Sequence, residues 1–301
     1  LDAYYRKTND LLLFVQLPFS SGFENALQNI GSVQNKGLEF SLQTVNLNKA
    51  LTWRTNFNIA INRNKVLDFG NETERYIGAD YNLTKGLALG VIRVGEPLGN
   101  FVGFINDGIF KNQEEVDRGP KSGFDYVGSR RFVDLNNDGK INDADRAIIG
   151  NALPKFTGGI QNSFSYKNFN LDFFFQFVYG NEVYNMTQLE LEFLNGRQNQ
   201  SVTVLDRFQA GVNENTDVAR TGGYVNIRQT HSRWVEDGSF VRLKNVMLSY
   251  DLPLSSWNVR GLTARLYFNG QNLWLLSKYR GYDPEVNINP QSNTLLGFDY
   301  T

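Results

Sequence analysis

The residues between Leu51 and Asn62 alternate almost without interruption between apolar and polar side chains. One set of alternate positions is Leu51, Trp53, Thr55, Phe57, Ile59 and Ile61, and the other is Thr52, Arg54, Asn56, Asn58, Ala60 and Asn62. Because successive side chains of a β-strand point to opposite faces, this alternation predicts a strand with one apolar and one polar face. The segment is longer than the roughly 5–6 residues of a typical globular strand, and it suits the roughly 9–11 residues of a tilted membrane strand. The first hypothesis is therefore a membrane β-barrel.

The same alternation recurs along the chain and predicts seven strands in all. The further segments are 2–13, which is the weakest, and 35–45, 160–166, 170–179, 239–252 and 262–272. Within 239–252 the alternation changes phase near Asn245, which predicts a β-bulge. The fold class expected is all-β, an antiparallel transmembrane barrel of which this chain supplies about seven strands.

The connections between these strands alternate strictly in length. Those near 46–50, 167–168 and 253–260 are short, whereas 14–34, 63–155, 180–238 and 275–301 are long. Outer-membrane barrels have short periplasmic turns and long extracellular loops, so strand 51–62 is predicted to run outward, 160–166 inward and 262–272 outward. Seven is an odd number of strands, whereas bacterial single-chain barrels have an even number. The sequence also begins at Leu1 with no signal peptide. We therefore expect a piece of a longer protein, with strands missing on both sides.

Composition narrows the function classes. The 30 basic and 31 acidic residues leave no net field to attract nucleic acid. No run of about 18 apolar residues predicts a transmembrane helix, while 23 Phe and 14 Tyr suit a lipid-facing band with interfacial girdles. There is no Cys, and the lone His231 excludes multi-histidine metal sites and supports acid–base catalysis only weakly. We expect a protein that is not an enzyme.

One motif predicts a calcium site, the segment 134–145 with the sequence DLNNDGKINDAD. It matches the EF-hand loop at positions 1, 3, 5 and 6, with a carboxylate at position 12. The expected ligands are Asp134, Asn136, Asp138, the Lys140 carbonyl and Asp145, with Asn142 or Asp143 contributing directly or through water. Asp145 takes the place of the usual Glu at position 12, and its shorter side chain reaches less far toward the ion. The competing interpretation is an Asp/Asn-Gly turn that binds nothing. The flanks do not resemble paired amphipathic helices, so a structural ion in a long outer loop is the expected role.

Several blocks resemble SusC/RagA-type TonB-dependent transporters. They are Tyr4–Leu12, Asn35–Phe40, Gly95–Phe104 with Asp107–Phe110, Asp134–Ile141 with Ile149–Asn151, Gly238–Val246, Asn269–Leu273 and Gly281–Glu285. The resemblance covers nearly the whole chain and places 1–301 in the C-terminal part of such a receptor barrel, with 63–155 as a long extracellular region. It implies a barrel of about 22 strands, an N-terminal plug, and a segment that contacts TonB–ExbB–ExbD. It also implies a SusD/RagB-like surface lipoprotein as a lid. The plug and the TonB segment lie outside this chain.

The expected function is active import of oligosaccharides or oligopeptides across the outer membrane of a Gram-negative, Bacteroidetes-like bacterium. Leu51, Trp53, Phe57, Ile59 and Ile61 are predicted to face lipid. The polar residues predicted to face the lumen are Arg54, Asn56, Asn58, Gln161, Asp172 and Arg265. We expect these side chains to contact water in the lumen or to contact the plug, rather than to recognise a specific substrate.

Two other classes stay open. A calcium-stabilised extracellular adhesin or glycan-binding module would also be all-β, but it should have short strands and no sorting of its loops by length. A secreted glycosidase would need paired carboxylates in a cleft, and no such pair can be identified in the sequence.

Overall fold

The computed structural model describes residues 1–10, 12–16, 25–29, 31–78, 88–193, 199–220, 229–254, 261–288 and 295–301. Over these residues the fold is all-β, with two short α-helices, α1 (Gln113–Arg118) and α2 (Met186–Leu191). No helix among them is long and apolar enough to span a membrane. The strands are β1 (Asp2–Thr8), β2 (Leu12–Gln16), β3 (Asn25–Asn29), β4 (Ser32–Asn48), β5 (Leu51–Asp68), β6 (Glu74–Gly78), β7 (Ala88–Arg93), β8 (Asn100–Gly103), β9 (Asn106–Ile109), β10 (Arg130–Phe132), β11 (Ala147–Asn151), β12 (Phe156–Tyr166), β13 (Phe169–Tyr179), β14 (Glu182–Asn185), β15 (Val235–Asp237), β16 (Phe240–Asp251), β17 (Arg265–Ser277) and β18 (Phe298–Asp299).

Seven strands form one open antiparallel sheet in the order β1-β4-β5-β12-β13-β16-β17. These are the seven predicted strands, so the all-β antiparallel prediction is confirmed. Several predicted bounds were wrong. The strand predicted over 2–13 ends at Thr8, and Leu12–Gln16 instead pairs with Asn25–Asn29 inside the connection predicted over 14–34. Strands β4 and β5 reach 17 and 18 residues, well beyond 35–45 and 51–62. Residues 255–260 of the third short turn lie outside the described residues.

The predicted bulge near Asn245 is present on both sides of β16. Leu243 and Asn245 pair with consecutive residues of β13, Phe175 and Phe174, so Lys244 is the extra residue. The register with β17 shifts at the same place, where Asn272 adopts a positive φ of 51°. A bulge lets neighbouring residues face the same side of a sheet. Arg242 and Asn245 therefore share one face although they are three positions apart, a spacing that would place them on opposite faces of a regular strand.

The sheet has two chemically distinct faces. The apolar face is built from directly paired residues, such as Phe57, Ile160 and Phe175 on successive strands. Aromatic rings run across it, with Trp53 stacked 5.5 Å from Phe164 and Phe164 stacked 5.9 Å from Phe173. Many of its side chains are exposed in this chain, which gives an apolar surface far wider than soluble proteins present. The exposed members include Leu38, Phe40, Leu42, Leu51, Tyr166, Phe169, Tyr179, Leu248, Leu266, Phe268, Trp274 and Leu276.

Three of the long connections, 63–155, 180–238 and 275–301, were predicted only as loops and fold together into one body with its own core. Three small sheets build it: β11-β8-β7-β6, β10-β9 and β15-β14-β18. Its core joins Phe101 from the 63–155 connection, Tyr184 and Trp234 from the 180–238 connection and Phe298 from the last one. We call this the outer body. It is joined to the ends of β4 and β5 by a second cluster of Val33, Val66, Phe69 and Ile92.

Candidate functional site

All six residues predicted to face the lumen lie on the polar face of the sheet. Arg54, Ser163 and Asp172 are directly paired across β5, β12 and β13, as are Asn56 and Gln161. Arg265 is paired with Asp251, whose carboxylate accepts from the Arg265 guanidinium at 2.5 Å. Strand pairing holds these polar groups side by side, because paired residues of an antiparallel sheet share a face.

A polar groove of about 700 Å³ lies at the end of this face next to the tight 49–50 turn. The Ser163 hydroxyl donates to Asp172, and Ser165 donates to Asn170 at 2.8 Å. Such a surface, rich in hydroxyl and amide groups, suits contact with water or with a polar partner. The groove is lined by Gln43, Thr44, Val45, Thr52, Arg54, Asn56, Ser163 and Ser165.

An ion-pair network occupies the opposite end of the polar face. The buried Arg242 guanidinium donates to Asp283 at 2.6 Å and lies 3.3 Å from Glu285. Lys244 lies 3.3 Å from Glu285, and the Gln176 side-chain amide donates to Glu285 at 3.0 Å. Sequence reasoning missed this network. Its two halves lie in the blocks Gly238–Val246 and Gly281–Glu285, which were singled out only by resemblance.

Buried charges tie the outer body together. Arg130 donates to Asp217 at 2.9 Å, and Arg233 contacts both Asp217 and, at 3.2 Å, Glu192. Burial, followed by the nearby Arg233 charge, lowers the pKa of Arg130 to about 10. These arginines join segments far apart in the chain, so the network stabilises the relative placement of the long connections rather than forming an open site.

His231 lies within this body and is fully buried. The Trp234 indole N–H donates to its Nε2 at 3.1 Å. Burial first, and then the positive charges of Arg130 and Arg233, hold the pKa of His231 well below its usual range. The imidazole is therefore neutral, and it packs between rings rather than facing a cleft: Phe132 lies 5.5 Å from it and Trp234 5.6 Å.

The predicted calcium loop folds around its own side chains. Asp134 Oδ2 accepts from the Gly139 backbone N–H at 2.8 Å, Asn136 accepts from Asp138, and Asp138 accepts from Lys140. Asp145 is fully buried, and its carboxylate accepts from the backbone N–H groups of residues 135 and 142, both at 2.9 Å. Gly139 has a φ of 78°, as the sharp turn at loop position 6 requires.

The loop brings candidate ligands near one another without forming a carboxylate cluster. Asp134 Oδ1 is buried and accepts no hydrogen bond. Within the described ranges, no group of three or more His, Cys, Asp or Glu side chains is placed to hold a metal ion. The loop ends in a 3-10 helix at Asp143–Asp145, and its flanks are the strands β10 and β11 rather than paired amphipathic helices. An open cleft of about 850 Å³ lies beside the loop, lined by residues such as Glu115, Arg118, Arg131 and Asp134.

Comparison with known proteins assigns the architecture. No family model matches the chain. TonB-dependent receptor P3 of Formosa agariphila is 39% identical over 99% of the chain and 30% of its own length. TonB-dependent receptor SusC of Bacteroides thetaiotaomicron is 28% identical over 97% of the chain and 28% of its own length. The chain is SusC/RagA-like and matches the C-terminal portion of a TonB-dependent transporter.

Solved structures place the SusC/RagA-like chain in the same architecture. It superposes on a structure of the RagAB peptide transporter with a TM-score of 0.76 and 26% identity, over 94% of the chain and 30% of that one. A RagAB peptide importer in its closed-closed state gives the same TM-score over 98% of the chain. The chain spans about 30% of the length of the relatives it matches. The open seven-stranded sheet is accordingly part of a barrel wall that this chain does not close.

Proposed function

We propose that the full-length protein is a TonB-dependent importer of nutrients in the outer membrane. The observation that carries this proposal is the wide apolar face of the sheet, joined to the similarity of the whole chain to TonB-dependent receptors. An exposed band of alternate apolar side chains, with aromatic residues near both ends of the strands, is what a lipid-facing barrel wall requires. The short-stranded adhesin is not favoured, because β4 and β5 reach 17 and 18 residues.

On this proposal the polar face lines the lumen, and the outer body stands at the extracellular mouth. Arg54, Asn56, Asn58, Gln161, Asp172 and Arg265 then line the passage for oligosaccharides or oligopeptides. A SusD/RagB-like surface lipoprotein docks over the outer body, and TonB–ExbB–ExbD acts through a part of the protein outside this chain. The support is the pairing of these residues on one face and the likeness to the RagAB importer.

The test is nutrient uptake by cells whose only route for a labelled oligosaccharide or oligopeptide is the full-length protein. We expect uptake that disappears when TonB is deleted and returns with TonB on a plasmid. Uptake that persists without TonB would make an open porin the better description. Release of free monosaccharide by the purified protein would indicate a hydrolase instead.

The loop 134–145 is proposed to bind one calcium ion that stiffens the outer body. The observation in favour is the buried Asp134 Oδ1, a carboxylate oxygen without a hydrogen-bond donor beside an Asn-Asp-Gly turn. Buried carboxylate oxygens need a hydrogen bond or a cation. Asp134, Asn136, Asp138, the Lys140 carbonyl and Asp145 would supply oxygens at roughly 2.3–2.6 Å.

Calorimetric titration of the full-length protein with calcium tests this site. We expect one binding event that Asp134→Asn weakens at least tenfold. The matched control is Asp117→Asn, at an exposed carboxylate in α1 that bonds only to Gln113 among the contacts described. The calcium proposal would be wrong if Asp134→Asn and the unmodified protein gave equal heats of calcium binding, or if the unmodified protein bound no calcium at millimolar concentration.

A further inference from the structure

Residues 279–288 form a strap that bridges the outer body and the polar face of the sheet. At its start, the Tyr279 hydroxyl bonds to the buried Asp299, and Arg280 bonds to Glu236 through its backbone N–H at 3.0 Å and its guanidinium at 2.8 Å. At its far end the Ile288 N–H donates to the Phe298 carbonyl at 2.8 Å. These contacts fix both ends of the strap to the outer body.

The middle of the strap is fixed to the barrel wall. Asp283 accepts from Arg242, and Glu285 contacts Lys244 and Gln176, all on β13 and β16. Arg242 and Lys244 are two residues apart on β16, and both reach the strap, where Arg242 contacts Asp283 and Lys244 contacts Glu285. Asp283 also accepts from the Glu285 backbone N–H at 2.9 Å, which closes a tight turn.

Tyr282 stands between these two sets of anchors and is 85% exposed, the most exposed aromatic side chain of the described residues. Its neighbour Gly281 leaves no room for a Cβ, which would lie 2.4 Å from the Tyr279 ring. The backbone on both sides of Tyr282 is held in place by the bond of the Arg280 N–H to Glu236 and by the bond of Arg242 to Asp283. An aromatic ring presented on a fixed backbone loses little conformational entropy on binding, which favours its use as a recognition surface.

The charges around Tyr282 compensate one another. The carboxylates of Asp283 and Glu285 face the cations of Arg242 and Lys244, and Arg280 faces Glu236. Asp283 and Glu285 stay partly exposed, so they can still accept hydrogen bonds from hydroxyl groups. A flat apolar ring beside neutralised polar groups suits an uncharged ligand that has an apolar face and a hydroxyl-rich edge. A ligand with charged ends would instead need an unpaired opposite charge at the site.

We propose that Tyr282 and the strap form a sugar-binding platform at the outer end of the polar face. The Tyr282 ring stacks on the apolar face of a pyranose unit, while Asp283 and Glu285 accept hydrogen bonds from its hydroxyls. Arg242 is a positioning residue that holds the strap against the wall. This inference rests on the proposed import function and assigns its substrate to neutral oligosaccharides.

The experiment uses the full-length protein in detergent and four neutral hexasaccharide probes: an α-1,4-glucan, a β-1,3-glucan, a β-1,4-xylan and a β-1,4-mannan. We expect binding of at least one probe, a loss of affinity of at least tenfold in Tyr282→Ala, and less than a threefold change in Tyr282→Phe. The matched control is Tyr76→Ala, an exposed tyrosine of the outer body remote from the strap in sequence. Arg242→Gln should weaken the same probe and also increase proteolysis within 279–288.

Several outcomes overturn the platform. One such outcome is that the sugar probe binds Tyr282→Ala as tightly as it binds the unmodified protein. This outcome would reject the platform and would leave the proposed import function untouched. Another is an effect of Tyr282→Ala on a parallel panel of hexapeptides, or on lipoprotein docking, but not on the sugars. Failure of the unmodified protein to bind any sugar also rejects the platform. TonB-dependent uptake is measured separately, so that its loss would count against the import function itself.

Discussion

Single residues show what alternation alone cannot predict. Asn162 lies on the apolar face among Ile160 and Phe164, yet it is only 9% exposed. Its side-chain carbonyl accepts from the Trp53 indole at 2.9 Å and from the Thr55 hydroxyl at 2.7 Å. The sequence places Asn162 on the correct face. It could not show that two donors on the neighbouring strand satisfy this polar group, because the register between β5 and β12 exists only in the folded sheet.

His231 gives the outer body a predictable pH dependence. Its pKa in the folded protein is lowered far below the unfolded value of about 6.5, so below that pH the unfolded chain binds a proton that the folded chain does not. The contribution of His231 to stability is therefore constant above about pH 6.5 and falls below it, by about 1.4 kcal/mol per pH unit. Hydrogen exchange of core amides in the outer body should become faster between pH 6.5 and 5, after correction for intrinsic rates.

The control is His231→Gln, which keeps an acceptor for Trp234 and does not titrate. His231 is the only histidine of the chain, so the slope between pH 5 and 6.5 should be smaller in this variant. An equal slope in both proteins would assign the titration to another group.

At the scale of elements, the strands of the wall could be predicted and those of the outer body could not. A wall strand is half apolar and half polar along its length, so its period is visible in one segment of sequence. The strands of the outer body have only two to six residues, and their core is assembled from distant segments. Phe101 packs 4.9 Å from Phe298 and 6.0 Å from Tyr184, contacts for which a single sequence gives no signal.

The two faces of β5 give the element-scale prediction. Phe57→Arg places a charge on the apolar face midway along the wall, where it should cost on the order of 2–4 kcal/mol in a bilayer. Asn58→Arg, one residue later on the polar face, is the matched control and should cost little. Urea unfolding of the full-length protein in lipid vesicles measures both. Equal destabilisation by the two variants, or a larger effect at Asn58, would contradict the assignment of the faces.

At the largest scale, the described residues form a barrel wall and an outer body that meet at the ends of β4 and β5. Val66 exchanges backbone hydrogen bonds with residues 95 and 96 at 2.8 and 2.9 Å, which fixes the outer body to the wall. Removal of 180–237 would take Tyr184 and Trp234 out of the core. Such a deletion would test folding of the outer body rather than its role in import, so single substitutions are the sharper tool.

Trp234→Ala separates the two parts of the molecule. Trp234 is 1% exposed at the centre of the outer body, and its loss should cost about 3–5 kcal/mol there. The wall is held by strand pairing and, on the proposed import function, by contact with lipid. We therefore expect the variant to insert in the outer membrane and to keep a heat-modifiable barrel on gels, while protease added to intact cells cuts the outer body. Val202→Ala, at an exposed residue of the same body, should leave it resistant. If Trp234→Ala instead prevents insertion, the outer body must fold before the wall can close, and the two parts form one cooperative unit.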